Sequence, residues 1–202
     1  MADDPYCYDN TDVLKNRYDI RDYATLETVE RLKSYTRSIE PVSLTLSPGG
    51  ISLIHHHLFQ DIYPWAGEIR SVDMAKENAL FCRPGLIEGN LRSLTANMSN
   101  DQNLKSSDPR TFAASAARHI NELNVIHPFR EGNGRTNRLI LDLLAENAGY
   151  SSGIQETSRN RWMTASRIGY AEMDDGPMAR LILDHIKAKE NEKEPIKEDD
   201  GR

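Results

Sequence analysis

The 202-residue sequence predicts an all-α fold, a helical bundle that carries one small β-hairpin. Apolar residues recur at three- and four-residue spacing along most of the chain, which is the periodicity of one face of an α-helix. One stretch, residues 69–83, instead alternates, with Val72 and Met74 before a polar tip and Leu80 and Cys82 after it. This alternation is typical of two short antiparallel strands. The alternative for such a marginally stable element is a surface loop without a role.

The helices follow from this periodicity and from their start and stop signals. The segments with helical spacing are residues 22–40, 51–63, 86–98, 112–126, 135–148 and 158–170, with a last helix that opens at Asp175-Gly176-Pro177. In the fourth segment, Asp108-Pro109 supplies an N-cap and a first helical residue. Gly149 is the stop signal after the fifth.

The first helix has an apolar stripe, which an amphipathic helix turns towards the core. Leu26, Val29, Leu32 and Ile39 form that stripe, and Pro41 ends the helix. We therefore expect these four side chains to be buried together.

Composition limits the organisation and the partners of the chain. A chain of this length builds one well-cored domain, which we place at residues 1–190, and a charged tail at 191–202 is predicted to be disordered. The net charge of −6 repels nucleic acid, so phosphate recognition must be local. No apolar run reaches the length of a membrane span, the N-terminus has no signal-peptide pattern, and two cysteines form no disulfide framework. These features predict a cytoplasmic protein, unless a secretion machine exports it.

Three consecutive histidines, His55-His56-His57, raise the question of a metal site. Adjacent residues on a helix point about 100° apart, so the three imidazoles cannot converge on one ion. We expect at least one of them to pack and another to meet solvent. Trp65, next to a proline, is interpreted in the same way as a packing anchor.

The segment HPFREGNGRTNR, from His127 to Arg138, has the composition of a site rather than of a core. Pro128 disfavours the α conformation at the residue before it, so the preceding helix should end at His127. Gly132–Gly134 can adopt backbone angles that leave consecutive N–H groups pointing one way. These donors lie at the N-terminus of the next helix, where the helix dipole favours an anion.

The charged residues of the segment extend this hypothesis. Arg135 and Arg138 share one face of the first helical turn, an arrangement that favours a polyanion between them. Glu131 is a carboxylate of the kind that holds Mg²⁺ together with substrate phosphates. An unperturbed imidazole titrates near pH 6.5, so His127 can accept a proton. The segment therefore predicts a metal-bound polyphosphate beside a proton acceptor.

This segment resembles the signature of Fic-domain proteins, H-x-F-x-[DE]-G-N-G-R-x-x-R, without any departure. Upstream, the segment from Trp65 to Arg70 resembles the family's W-A-G-x-x-R sequence, and the hairpin at about 70–83 resembles its flap. The resemblance extends over residues 6–186. It implies the Fic fold, a helical bundle with the flap over the active site, and the transfer of AMP from ATP and Mg²⁺ to a Tyr, Ser or Thr hydroxyl of a target protein.

The resemblance also implies the role of each site residue. His127 accepts the proton of the target hydroxyl, and Glu131 holds Mg²⁺. Asn133, Arg135 and Arg138 complete the catalytic group, with the Asn133 amide in an anion hole and the arginines on the outer phosphates. The residues assigned to the nucleotide are Lys76, Glu77, Glu131, Gly132, Asn133, Gly134, Arg135, Thr136 and Arg138. The flap is expected to lie over the nucleotide and to pair with the target segment.

Two comparisons within the family refine this expectation. The related Doc kinases carry Lys where this chain has Gly134, so Gly134 favours AMP transfer. Many Fic proteins carry an inhibitory helix, [ST]-x-x-x-E-[GN], whose glutamate pairs with the second motif arginine, here Arg138. No Glu-Gly or Glu-Asn pair of this sequence has Ser or Thr four residues before the glutamate. We therefore expect the chain to have no inhibitory helix of its own.

The absence of that helix predicts a toxin whose inhibitory helix comes from a small separate antitoxin. For such toxins the resemblance implies the B subunit of DNA gyrase, or topoisomerase IV, as the target. Two alternatives stay open at this point. One is a secreted effector that modifies host small GTPases, and the other is a nucleotide-binding interaction module without turnover.

Overall fold

The structure, a computed structural model, describes residues 4–76, 79–106 and 108–189. In these residues the chain is largely helical, which confirms the all-α class. The helices are α1 (Tyr23–Ser38), α2 (Pro48–Phe59), α3 (Pro84–Asn100), α4 (Pro109–Ile126), α5 (Asn133–Asn147), α6 (Arg159–Glu172) and α7 (Gly176–His185). Short 3₁₀ turns at Gln102–Lys105 and Ile154–Glu156 precede α4 and α6.

Local sequence signals explain where several helices begin. The side chains of Asp22, Ser47, Asp108 and Ser158 each accept a hydrogen bond from a backbone N–H group in the first turn of α1, α2, α4 and α6. Such caps satisfy donors that have no partner within the helix. Proline occupies the first turn of α2, α3, α4 and α7, where its missing N–H group costs nothing. The predicted start at Asp108-Pro109 is confirmed.

Helix α4 lies at the centre of the bundle. It packs against α3, α5, α6 and α7, while α2 joins α1 to α5. The apolar faces of α2, α3 and α4 are buried. Their core side chains, each at most 2% exposed, are those of Ile51, Ile54, Leu58, Ile87, Leu91, Leu94, Met98, Phe112, Ala116, Ile120 and Leu123. Gly149, which follows α5 with φ +86°, confirms the predicted stop signal because a left-handed conformation favours glycine.

The structure has two small antiparallel pairs of strands in the described residues. The predicted hairpin consists of β1 (Ala75–Lys76) and β2 (Ala79–Leu80), with Ala75 opposite Leu80. Its tip at 77–78 lies outside the described residues, as does the charged tail at 191–202. A second pair joins β3 (Tyr150–Ser152) to β4 (Ile186–Ala188). The sequence did not predict this pair, because three-residue strands have too little alternation to be recognised.

The predicted apolar stripe of α1 is wrong. Leu26 is buried, but Leu32 and Ile39 are 63% and 68% exposed. The side of α1 that meets the rest of the molecule carries Leu26 together with Glu30 and Ser34. The physical reason is that the partner of this face is itself charged, so a carboxylate and a hydroxyl are stabilised there better than apolar groups would be.

The side chains that raised other questions have simple environments. His55 is buried, His56 is exposed, and His57 is bonded to the Arg37 carbonyl, as expected for three residues that point in different directions. Trp65 is buried and stacks on Tyr63, which confirms the packing interpretation. In the described part of the chain, no cluster of three or more His, Cys, Asp or Glu residues is arranged around a metal ion.

Both cysteine thiols are free. None of the helices in residues 4–76, 79–106 and 108–189 combines the length and apolar character that a membrane crossing needs.

Candidate active site

His127 lies at the C-terminal end of α4 in a left-handed conformation, with φ 49° and ψ 62°. The sequence predicted the end of the helix here, because Pro128 disfavours the right-handed helical conformation at this position. The backbone N–H of His127 donates to the Leu123 carbonyl at 3.0 Å, which closes the last turn. The change of hand turns the imidazole away from the axis of α4.

Two contacts with described residues help to orient the imidazole of His127. Its Nδ1 lies 3.2 Å from the Asn124 carbonyl oxygen, which can only accept, so Nδ1 carries a proton. In the neutral ring the lone pair is therefore on Nε2. The ring of Phe81, directly after β2, stacks on the imidazole with centroids 3.8 Å apart. The hairpin thus contacts the predicted proton acceptor itself.

The loop between α4 and α5 is shaped by the side chain of Asn133. Its Oδ1 accepts from the Phe129 N–H at 3.0 Å, and its Nδ2 donates to the Phe129 carbonyl at 2.7 Å. The amide is buried. In this arrangement it holds the loop together, and its place in an anion hole stays a prediction.

His55 supports the loop from below. It stacks on Phe129 with centroids 3.9 Å apart, accepts from the Gly67 N–H at Nδ1, and donates from Nε2 to the Glu131 carbonyl at 3.0 Å. Burial lowers the pKa of His55 to about 3, so the ring is neutral at ordinary pH. This histidine is structural, in contrast to His127.

Gly132 begins α5 as its N-cap, with φ +81°. A Cβ atom here would lie 2.4 Å from the ring of Phe59, so both the conformation and the space require glycine. The Gly132 N–H donates to the Oε1 atom of Glu131 at 2.8 Å. The predicted phosphate site lies at this N-terminal end of α5, where the helix dipole and N–H groups favour an anion. The Glu131 carboxylate already accepts from one of these N–H groups, that of Gly132.

Glu131 has the features of a Mg²⁺ ligand. Its side chain is 45% exposed, and Oε1 is 3.6 Å from Arg135. Mg²⁺ usually takes one or two protein carboxylates and completes its coordination with phosphates and water. A single accessible carboxylate at the start of α5 fits that requirement, in which the nucleotide supplies the remaining charge.

Arg135 has protein partners on α1. Its guanidinium pairs with the Glu30 carboxylate, donates to Ser34 Oγ at 3.1 Å and covers the ring of Phe59. Glu30 also accepts from the Tyr63 hydroxyl. Burial raises the pKa of Glu30, and the charge of Arg135 opposes that shift. These contacts explain why a glutamate and a serine face inwards on α1.

Arg138, one turn further along α5, has different surroundings. Its guanidinium lies over the ring of Trp162 on α6, 4.9 Å from the centroid. No ion pair joins it to a carboxylate within the described residues, and its Nε is buried without a hydrogen-bond partner. Burial and the nearby charge of Arg135 lower the pKa of Arg138, which marks a site where added negative charge would be stabilised.

The side chain of Thr136, a residue assigned to the nucleotide, is turned into the protein. Thr136 is fully buried, and its hydroxyl donates to the Gly132 carbonyl at 3.0 Å. Its side chain closes the first turn of α5, and its assignment to the nucleotide stays a prediction.

A family comparison agrees with this geometry. Residues 45–145, half of the chain, match the model of the Fic/DOC family, and they include α2, the hairpin, α4 and the motif loop. The chain belongs to the Fic/DOC family.

Several known Fic proteins are similar to it. The protein adenylyltransferase VbhT from Bartonella schoenbuchensis is 38% identical over 84% of this chain, which spans 36% of that relative. The probable protein adenylyltransferase Fic from Escherichia coli is 31% identical over 95% of this chain and 96% of its own length. The crystal structure of the BepC protein from Bartonella tribocorum, a VirB-translocated effector with bound AMPPNP, has a TM-score of 0.83 at 27% identity. The match covers 92% of this chain and 97% of the BepC chain.

The Fic fold thus brings most of the predicted site residues together around the start of α5. Glu131, Gly132, Gly134, Arg135 and Arg138 follow His127 in one loop and one helical turn. For Lys76 only the backbone, in β1, is described, and Glu77 lies outside the described residues.

Sequence reasoning missed the residues that contact the site from elsewhere, which are Glu30, Ser34, Phe81 and Trp162. A polar pair at i,i+4 on α1 was the signal for the first two.

Proposed function

We propose that this chain is a protein adenylyltransferase, which moves AMP from ATP to a hydroxyl group of a target protein. The observation that carries the proposal is the orientation of His127. Its Nδ1 is bonded to the Asn124 carbonyl, which puts the lone pair of the neutral ring on Nε2, the atom that can accept a proton. A module that only binds nucleotide has no need of an imidazole held in one tautomer. Relatives that bear the name protein adenylyltransferase support the same activity.

Atoms and electrons balance in the proposed reaction. The target hydroxyl gives its proton to Nε2 of His127 as its oxygen bonds to the α-phosphorus of ATP. The bond from that phosphorus to the bridging oxygen breaks, and pyrophosphate leaves with the electron pair. General-base assistance of this kind contributes about 10²–10⁴-fold to a rate. The N–H groups at the start of α5 stabilise the charge that develops on the attacked phosphate.

ATP and Mg²⁺ are the proposed cofactors. The BepC structure contains AMPPNP, an ATP analogue, which supports nucleotide binding in this fold. A magnesium ion held by Glu131 would neutralise charge on the phosphates. Arg138 has a guanidinium that forms no ion pair with a carboxylate in the described residues, which supports the proposal that it binds the outer phosphates.

The transfer is tested with two isotopic labels. The purified chain is incubated with a bacterial lysate, Mg²⁺ and ATP labelled either at the α- or at the γ-phosphorus. Label in protein from the α position alone supports AMP transfer, and label from the γ position would indicate a kinase. Nucleotide binding without any transfer would indicate the alternative function, a nucleotide-binding interaction module without turnover. The control is His127→Ala, which should bind ATP and transfer AMP about 10²–10⁴-fold more slowly.

For control of the activity, we propose a separate antitoxin. Glu30, a carboxylate from outside the motif, pairs with Arg135, and no ion pair joins it to Arg138 in the described residues. It also lacks the inhibitory pattern, because Leu26 stands four residues before it. The proposed partner is a short helical protein whose S/T-x-x-x-E-G/N glutamate docks on Arg138. The proposed target is DNA gyrase or topoisomerase IV in the bacterial cytoplasm.

This control is tested by growth. The chain is expressed with and without its neighbouring open reading frame, and then with the motif glutamate of that frame changed to glycine. Growth inhibition when the chain is alone or beside the altered frame, with normal growth beside the intact frame, supports the toxin. Equal growth in all strains would move weight to the second candidate.

That second candidate is a host-directed effector that modifies small GTPases. The observation that favours it is the similarity to BepC, which is described as VirB-translocated. Incubation of the chain with labelled ATP in a eukaryotic and a bacterial lysate distinguishes the two. A labelled band near the size of a small GTPase in the first lysate alone would select the effector.

A further inference from the structure

Arg70 follows the W-A-G segment and is 1% exposed, which makes it the largest fully buried side chain among the described residues. Within the described residues, its guanidinium donates only to backbone carbonyls. Nε reaches His127 O at 2.8 Å, one terminal nitrogen reaches Val72 O at 2.6 Å, and the other reaches Cys82 O and, at 3.4 Å, Ile126 O. The proposed transfer of AMP does not itself use this residue.

A buried guanidinium without a carboxylate is unusual. Within the described part of the chain, no ion pair involves Arg70. Burial lowers its pKa, so the site disfavours a charge that arginine nevertheless keeps. Two features offset the free-energy cost of burying this charge. The carbonyls accept from all three guanidinium nitrogens, and those of Ile126 and His127 lie at the negative end of the α4 dipole.

The four carbonyls belong to different parts of the molecule. Val72 precedes β1 and Cys82 follows β2, so they are the two arms of the hairpin, whereas Ile126 and His127 end α4. Two backbone bonds repeat the connection, from Arg70 N–H to Pro128 O at 2.9 Å and from the Cys82 N–H to Val125 O at 3.2 Å. One side chain therefore holds both arms of the hairpin against the end of α4, where His127 carries the imidazole.

The outer part of the hairpin has its own attachments. Phe81 stacks on the His127 ring, and the Tyr170 hydroxyl on α6 donates to the Leu80 carbonyl at 2.8 Å. The base of the hairpin is thus held by Arg70 and its outer end by Tyr170. A shift of the base would move Phe81 relative to the imidazole, because only one peptide unit separates Phe81 from Cys82.

We propose that Arg70 is a positioning residue that sets the location of the hairpin relative to the His127 imidazole. The proposal rests on the proposed function: the location of the hairpin fixes how a target segment bound to it presents its hydroxyl to Nε2 of His127. A lysine at this position keeps the charge but concentrates its donors on one atom. It cannot reach carbonyls on both arms of the hairpin and on α4 together.

The first test needs no substrate. The wild-type chain and Arg70→Lys are labelled with ¹³C,¹⁵N-histidine, and the His127 ring protons are observed by NMR. Stacking on Phe81 should shift these protons upfield, and Phe81→Leu assigns the signal by removing the shift. In Arg70→Lys we expect the upfield shift to be reduced by half or more. Amide exchange in the hairpin should become about tenfold faster or more, which corresponds to a loss of about 1.4 kcal/mol.

A matched control separates positioning from stability. Arg37 on α1 is also held by several acceptors, from Asp61 and Glu40, but none of its hydrogen bonds in the described residues reaches the hairpin. Arg37→Lys should lower the unfolding midpoint while leaving the His127 signal and the hairpin exchange at their wild-type values. Tyr170→Phe removes the outer attachment alone. It should leave at least four-fifths of the upfield shift in place.

The outcomes are separable. A folded Arg70→Lys with the wild-type His127 signal and wild-type hairpin exchange overturns the proposal. If Arg70→Lys does not fold, Tyr170→Phe decides, because a loss of half the upfield shift there would assign the positioning to Tyr170.

Where the wild-type chain transfers AMP, Arg70→Lys should lower kcat about 10²-fold with an unchanged KM for ATP. A wild-type chain that transfers nothing overturns the proposed function, while the NMR result still tests Arg70.

Discussion

The loop that carries the Fic motif, between α4 and α5, has two sides. The charged groups on these two sides differ in the contacts that they make. On the α1–α2 side, defined by Glu30, Ser34, His55 and Arg135, each of these side chains is bonded to another part of the protein. These bonds connect the start of α5 to α1 and α2. The side chains therefore serve mainly to build the site.

On the hairpin–α6 side, defined by Phe81, His127, Arg138 and Trp162, the contacts are mainly stacked rings and a cation over a ring. Such contacts orient a group without neutralising it. Two arginines three residues apart, equal in the sequence pattern, therefore have unequal surroundings. Four measurements can break or sharpen this difference between the sides, taken in order of decreasing effect.

The largest effect is expected at His127 on the hairpin–α6 side. His127→Ala should slow AMP transfer by about 10²–10⁴-fold, because the general base is lost, while ATP affinity stays within about twofold. Initial rates and titration calorimetry measure the two quantities. Loss of ATP affinity in parallel with the rate would place the imidazole among the phosphate contacts instead.

On the α1–α2 side, Glu30→Gln should lower the free energy of unfolding by about 3 kcal/mol, since it leaves the Arg135 charge without its partner. Denaturant unfolding measures this loss. The matched control is Glu27→Gln, an exposed neighbour on the same helix, which should change stability by less than about 0.5 kcal/mol. The double variant Glu30→Gln with Arg135→Gln should recover part of the loss, and full additivity would show that the pair is not coupled.

Arg138→Ala should weaken nucleotide binding more than it lowers the stability of the fold. We expect ATP affinity to fall about 10- to 100-fold, the equivalent of one charge-assisted contact of about 1.5–3 kcal/mol. The free energy of unfolding should fall by only about 1 kcal/mol or less, the value of a cation over an aromatic ring. If Arg138→Ala destabilised the fold as much as Glu30→Gln, the distinction between the two sides would fail.

The smallest effect concerns pH. The pKa of His55 is lowered to about 3 in the folded state, whereas an unfolded histidine titrates near 6.5. The unfolded chain therefore binds a proton that the folded chain excludes. The contribution of the neutral His55 to the free energy of unfolding is complete above about pH 6.5. It is lost as the pH falls towards 3, by up to about 1.4 kcal/mol per pH unit.

Unfolding curves between pH 6.5 and 5 test this sign, because most carboxylates titrate below that range. His55→Gln should flatten the dependence, and the exposed neighbour His56→Gln should not. A wild-type stability that rises as the pH falls through this window would contradict the burial of a neutral His55.

Much of this protein was determined by the sequence itself. The helix start at Asp108-Pro109, the end of α4 before Pro128 and the glycine at the start of α5 depend on local backbone sterics and on caps. These are properties of a few adjacent residues. The Fic motif was therefore recognisable, together with the fold class and the residues around His127.

Tertiary structure decided the rest, because it concerns which surfaces meet. Glu30 and Ser34 face inwards since Arg135 lies opposite them, and nothing on α1 alone indicates that partner. The side chains of Asn133 and Thr136 are bonded within their own loop and first turn, which a motif cannot distinguish from contacts with a nucleotide.

The fork of Arg70 joins carbonyls from three segments that are distant in sequence. Backbone carbonyls are present at every residue, so no sequence pattern identifies which of them will converge on a buried cation. Only the packed fold brings them together, because the free energy of burying that charge depends on all of its acceptors at once.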